Sequence, residues 1–180
     1  MGDEKSDTVA VSFLIGNAGL NLIYSGIDEN IIQGRRSNMK QFLCFKIRGY
    51  WFGIDVENVI EIVNPTSLNN TDSPVFPGDD SFVYHGAVLP NVHLEDILFG
   101  EQVKYDTSKR ILVSEISDLK AGIIVDSAEE ILSVGDEQIR QLTPGLVPFN
   151  NEYLNGYIPS EERNIYLISS DKIGELVSAK

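Results

Sequence analysis

Few residues of this chain are of a type that does chemistry, and their spacing assembles little. The two histidines, His85 and His93, supply at most two ligands of an open metal site, and a polar surface role suits them better. The single cysteine, Cys44, lies between Leu43 and Phe45; it excludes an internal disulfide, offers no Cys-x-x-Cys pair and reads as a buried, inert thiol. Neither standard Gly-rich phosphate loop occurs, nor a Gly-x-Ser-x-Gly elbow to support a nucleophilic serine. A repeated β-protein can bring one carboxylate from each half to share a proton, as aspartic proteases do. The nearest match to their motif, Asp106-Thr107-Ser108, lies in a polar segment and has no counterpart in the other half. The most notable acids are Glu61 and Glu130, which fall at the same place in a repeated stretch and can take a partner's arginine or backbone amide. For Glu130 a solvated place at the end of a short helix is preferred. No catalytic residue, cofactor or metal is therefore expected; protein binding is.

Composition narrows the partners. Across 180 residues, 27 Asp and Glu outnumber 14 Lys and Arg, giving a formal charge of −13 and a pI near 4.4. A phosphate backbone needs a basic face, so nucleic acid is excluded. No window approaches the roughly 18 apolar residues of a membrane span, and no direct membrane insertion is expected. The longest apolar run, Val9–Ile15, follows Asp3, Glu4, Lys5 and Asp7 rather than a basic segment, which argues against a signal peptide. With a lone cysteine, these features lead to a cytoplasmic expectation.

What must position the acids is a stretch that occurs twice. Gly53–Ile62 returns without a gap as Gly122–Ile131, an offset of 69 at both ends (122 − 53 and 131 − 62). A second echo joins Tyr84–Pro90 to Leu154–Pro159. Alternation and turn residues predict a half-buried strand over 41–47 with 51–54 as its hairpin partner. They predict further strands from Ala87 to Leu94, broken at Pro90, over 110–115 paired with 121–125, and over 153–158 paired with 164–168. Asp55 is expected to cap a short helix carrying Val56, Val59, Ile60 and Val63, stopped by Pro65, and 127–132 to repeat that helix or turn. Glu95–Phe99 reads as a helical turn ended by Gly100, and Ser170 as the cap of a terminal helix with Ile173, Leu176 and Val177 on one face. Gly53 and Gly122 are assigned to hairpin geometry. The sum is an all-β fold with short helices, built as two similar barrels. Residues 1–38 do not fit the repeat and are either a non-native or disordered leader ahead of a start at Met39, or an N-terminal strand or partner-binding tail.

Phe42–Phe45, Phe52–Val56, Val59–Ile62, His85–Pro90, Gly122–Asp126, Ile131–Ser133 and Glu137–Arg140, in this order and spacing, resemble the CheW-like domain of bacterial chemotaxis coupling proteins. The likeness runs from about Met39 to Val177. It implies two intertwined five-stranded β-barrels, placed here at about 53–100 and 110–168, with 41–47 and 170–177 packing on them. It also implies a non-enzymatic adapter between chemoreceptor cytoplasmic tips and the regulatory domain of the histidine kinase CheA. A related scaffold for a non-chemotactic pathway, or a duplicated β-barrel hydrolase, is the alternative. By resemblance, Glu61 and Ile62 are partner contacts, Val59 is core, and His85, Gly86 and Val88 take receptor-side positions. Two departures stand out: the family's Asn-Leu-Arg-Gly is Val83-Tyr84-His85-Gly86 here, and its Val-Asp-Leu is Val92-His93-Leu94. Losing that Arg removes roughly 1.5–3 kcal/mol from a charged contact. Function is further expected where the repeats differ, at Ile60 against Glu129.

Overall fold

The computed structural model describes residues 39–64, 80–101, 108–143, 145 and 147–179. Strand β1 (Met39–Ile47) turns back as β2 (Tyr50–Asp55); a 3-10 turn, Val56–Asn58, then leads into β3 (Val59–Val63). Strands β4 (Ser81–Tyr84) and β5 (Ala87–His93) form a hairpin, followed by helix α1 (Leu94–Phe99). The second half repeats the plan with β6 (Arg110–Ile116), β7 (Leu119–Val125), β8 (Ser127–Gly135), β9 (Leu154–Ile158) and β10 (Ile165–Ile168), closing on helix α2 (Ser170–Ser178).

These strands make two five-stranded sheets, ordered β8-β1-β2-β10-β9 and β3-β6-β7-β5-β4. Replacing each strand of the first half by its counterpart five places on turns one order into the other. Parallel pairings also correspond, β10 with β2 in one sheet and β5 with β7 in the other. The offset of 69 seen in the sequence governs the register: Cys44 faces Gly53 and Val113 faces Gly122 (113 − 44 and 122 − 53). Even the irregularities repeat. One residue too many, Ile60, lies between the pairs Val59–Ser114 and Glu61–Val113, and one too many, Glu129, between Ala128–Phe45 and Glu130–Cys44.

The halves therefore exchange strands. The first gives β1 and β2 to one sheet and β3 to β5 to the other; the second gives β6 and β7, then β8 to β10, the opposite way round. Division by chain position, with barrels over about 53–100 and 110–168, is thus not division by sheet. One sheet runs over 59–125, and the other combines 39–55 with 127–168. The twice-occurring stretch is the crossing in each direction.

The bulge also explains why the helix expected over 56–63 is a 3-10 turn followed by a strand. An extra residue in a strand breaks period two, and the apolar spacing at 56, 59, 60 and 63 then imitates a helix. Asp55 does cap as expected, its Oδ1 accepting from the Glu57 N–H at 3.0 Å, while the β-branched run settles into the sheet. The stretch 127–132, expected to be helix or turn, is β8 for the same reason. Pro90 does not break β5: it lies where the strand changes neighbours, pairing with Ser81 on β4 before Asn91 begins the pairing with β7. The second echo is not structural, since Gly86 lies in the β4–β5 turn and Gly156 lies inside β9 opposite Leu167. The N-cap position of helix α2 is Ser169, whose side chain makes no capping bond, and Ser170 lies inside the helix and accepts a hydrogen bond from Asn58 Nδ2 at 2.7 Å.

Among the described residues, three apolar clusters form the interior. Phe42, Cys44, Val134, Ile158, Ile165 and Leu167 fill one curled sheet, and Val63, Phe82, Leu89, Ile111 and Val113 fill the other. Between the sheets lies a larger shared core that includes Leu43, Phe45, Phe52, Ile54, Leu112, Ile123 and Ile173. Strand β1 is consequently buried on both faces along Phe42–Phe45, where a half-buried strand was expected, because the second sheet covers its outer side. Gly53 and Gly122 serve close approach rather than hairpin geometry. A Cβ on Gly122 would stand 2.8 Å from Ile111 Cγ2 and 2.9 Å from Phe82 Cζ, whereas one on Gly53 would stand 3.1 Å from the flexible end of Leu167. Polar staples join the ends: Lys109 Nζ bridges Glu95 on α1 (2.6 Å) and Asp126 at the β7–β8 crossing (2.7 Å), and Arg48 adds a 2.8 Å contact to Glu95.

Candidate functional site

Strand β3 is an edge strand, and its bulge decides what it presents. Val59 and Ile62 pack on the shared core, while Ile60 and Val63 join the interior of the β3–β7 sheet. Glu61 lies at the rim of that interior, its side chain 40% exposed, and its Oε2 accepts a 2.7 Å hydrogen bond from the Tyr84 hydroxyl. Tyr84 ends β4, the opposite edge of the same sheet, so this bond, with the packing of Ile60 and Tyr84 on the interior cluster, closes the curled sheet across its edges. Burial pushes the Tyr84 phenol up to about 12, aided by the hydrogen bond to Glu61 and that carboxylate's charge.

The β4–β5 turn holds two residues, His85 (φ 46°) and Gly86 (φ 79°), and is closed by the pair Tyr84–Ala87, with Val83–Val88 the next pair along the hairpin. Positive φ at both central positions is the mirror-image turn that suits a twisted hairpin, and histidine tolerates it better than most residues with a side chain. The turn holds the His85 ring against Tyr84, centroids 4.3 Å apart, and His85 Nε2 4.0 Å from Glu61 Oε2, beyond hydrogen-bond reach. His85 is 78% exposed, and Val88, one residue past the turn's closing pair, is 69% exposed. Glu61, His85 and Gly86 are therefore brought to one rim, although up to 25 positions separate them (86 − 61), whereas Val88, paired with Val83, projects from the face of the hairpin opposite Tyr84. Ile62 is not among them; it faces the shared core on the other side of β3. His93 stands at the far end of β5 from His85, as the residue before α1.

The counterpart of Glu61 is Glu130, and its surroundings differ. Rather than a solvated place at a helix end, Glu130 occupies edge strand β8 and pairs with the Arg163 guanidinium from the β9–β10 connection. Arg163 stacks on Trp51 at 3.9 Å, and Lys46 covers the same ring at 4.4 Å. The bulge residue Glu129 is held by Ser127 Oγ (2.7 Å) and Lys46 (3.2 Å), which keep its carboxyl below the ordinary range. Where this copy is charged and satisfied internally, the first copy has apolar Ile60 and a carboxylate that, among the described residues, accepts from the neutral Tyr84 phenol.

Cys44 is buried in the sheet interior, and burial pushes its thiol up to about 12, too high for a nucleophile. Among the described residues no three His, Cys, Asp or Glu side chains gather as a metal set, and no helix is long and apolar enough to cross a membrane. Asp106 and Thr107, Pro65 and the segment 1–38 lie outside the described residues.

A family model described as CheW-like domain matches residues 41–177, from β1 through α2. The chain belongs to the CheW-like family. Among its CheW-like relatives, the "Chemotaxis protein CheW" of Klebsiella aerogenes is 29% identical over 136 residues, covering 74% of this chain and 81% of that protein. The protein of the same name from Rhizobium meliloti is 27% identical over 137 residues, covering 74% of this chain and 86% of its own. The crystal structure of the scaffolding protein TtCheW from Thermoanaerobacter tengcongensis superposes with a TM-score of 0.57 at 23% identity, covering 72% of this chain and 88% of that one. That likeness bears on the fold, and the two interlaced sheets are a CheW fold.

Sequence reasoning missed Tyr84 and Arg163 as the groups that hold the repeated glutamates. No fixed spacing links β3 to β4, or β8 to the β9–β10 connection. A faint signal was the placement of each group beside the hairpin that follows its glutamate's strand.

Proposed function

We propose that this CheW-like chain is a non-enzymatic cytoplasmic adapter of bacterial chemotaxis that joins chemoreceptor cytoplasmic tips to the regulatory domain of the histidine kinase CheA. The observation that carries the reading is the family match over 41–177, which spans nearly all of the described residues. Relatives named for chemotaxis and a structural neighbour named as a scaffold support it. So does the rim of Glu61, His85 and Gly86, where a part-exposed carboxylate lies on the edge of a sheet, with Val88 exposed on the other face of the same hairpin. Such a surface suits protein docking, with the apolar contact giving affinity and the charge giving register. Isothermal titration calorimetry of the chain against the kinase regulatory domain and against a receptor cytoplasmic fragment tests it. Binding to both is expected, and binding to neither overturns the reading.

One observation favours a second reading, a CheW-like scaffold in a non-chemotactic pathway. His85 takes the place of an arginine that the resemblance leads one to expect, which alters the charge offered to a client. Binding of the kinase without the receptor fragment supports this alternative.

A further inference from the structure

We infer that Arg163 is an ionic clasp on the sheet built from β1, β2 and β8 to β10: it holds residues 159–164 over the mouth of that sheet as a lid, and raised ionic strength opens the lid without unfolding the sheet. Register places the parts on one face. Cys44 pairs with Gly53 on β2 and with Glu130 on β8, and Trp51 pairs with Lys46 on β1 and with Ile165 on β10. Residues paired across strands share a face, as do residues two apart along a strand. Cys44, Lys46, Trp51, Glu130 and Ile165 therefore line the inside of one curled sheet, with Cys44 and Ile165 in its apolar interior and Trp51 packed on that cluster.

The lid springs from the buried pair Ile158–Ile165 at the ends of β9 and β10. Of residues 159–164, Arg163 alone is part-buried and the others are exposed, so its side chain is what draws the connection down. The guanidinium pairs with Glu130 and lies 3.9 Å from the centre of the Trp51 ring. Lys46, 4.4 Å from the same ring, is held by Glu129 at 3.2 Å, so the mouth is ringed by two cations and two carboxylates. The Arg163 and Glu130 side chains are 30% and 36% exposed, which leaves the pair open to screening by salt. The other sheet is closed by a neutral phenol on Glu61 and by apolar packing, so salt acts chiefly on one closure of the two. Beneath the clasp Cys44 is fully buried, and both charges reach it: Glu130 adds to burial in raising the thiol, and Arg163 opposes.

The single cysteine and the single tryptophan of the chain thus both report on the lid. The test is the labelling rate of Cys44 in the full chain at fixed pH by dithiodipyridine, a neutral disulfide whose encounter with an acidic protein does not depend on salt. A net charge of −13 repels itself less as salt rises, so labelling through global unfolding must slow, whereas labelling through the lid must quicken. Between about 0.05 and 1 M sodium chloride the rate is expected to rise roughly two- to fivefold. Arg163→Gln is expected to raise it roughly five- to thirtyfold at low salt, to flatten its salt dependence and to shift Trp51 emission to the red with the circular dichroism unchanged. Arg163→Lys keeps the charge without the fork and is expected to fall between the two. Tyr84→Phe, which weakens the closure of the other sheet, is the control and is expected to leave labelling at the wild-type rate. Labelling that slows with salt, labelling of Arg163→Gln at the wild-type rate, or a urea dependence of labelling equal to that of global unfolding overturns the inference.

Discussion

At the scale of single residues, the pair Tyr84–Glu61 makes a measurable signature. The phenol's value in the fold, about 12, lies above its ordinary value of 10, so the folded chain holds this proton more tightly than the unfolded one. Its contribution to stability is whole below pH 10 and is lost as pH rises towards 12. In an alkaline titration followed by phenolate absorbance, Tyr84→Phe is expected to remove a late-titrating tyrosine. Glu61→Gln is expected to move that tyrosine to lower pH without returning it fully to the ordinary range, because burial remains. No shift in Glu61→Gln would show that the hydrogen bond is not formed in solution. The residue type at 85 has a backbone reason as well as a chemical one: its positive φ restricts the choice, so what the turn tolerates and what the rim offers a partner are read from the same position.

At the scale of elements, the repeated glycines separate two degrees of crowding. Gly122→Ala forces a methyl against the Phe82 ring and Ile111, and overpacking of this kind costs about 1–3 kcal/mol. Gly53→Ala meets chiefly the mobile end of Leu167 and is expected to cost less, an order that urea unfolding of the two variants checks. Much at this scale was legible beforehand. The hairpins β1–β2, β6–β7 and β9–β10, helix α1 and the buried face of α2 follow from alternation, turns and helical spacing, which are local signals. The strands β3 and β8 were not legible as strands, because a bulge at Ile60 and at Glu129 overwrote their period. Of the candidate site, Glu61 came from the repeat as well as from a family likeness, and His85, Gly86 and Val88 from the likeness alone. Tyr84 escaped because the contact that brings it to Glu61 depends on how a sheet curls.

At the scale of the whole molecule, the repeat read from the sequence is a set of five strands in each copy, and the intertwining of two five-stranded sheets is what the family likeness implied, although neither sheet is made by one copy alone. Exchange between halves is a long-range property, and no window of sequence records it. A chain cut within the segment joining α1 to β6 leaves both sheets incomplete in either piece. Each piece alone is expected to lack the circular dichroism of the intact fold, and the two mixed are expected to recover it and to co-elute in gel filtration. Independent folding of either piece would contradict the interlaced arrangement. The interlacing also sets an order of assembly on the ribosome. All strands of the sheet that bears Glu61 have been synthesised once residue 125 has emerged, whereas β1 and β2 must keep their apolar sides unsatisfied until β8 to β10 follow. Closing those distant pairings, such as Phe42 with Leu132, is the slow step that topology predicts. The rim around Glu61 can therefore be finished while the rest of the molecule is still being made, and the nascent chain's exposure to aggregation falls on the other sheet.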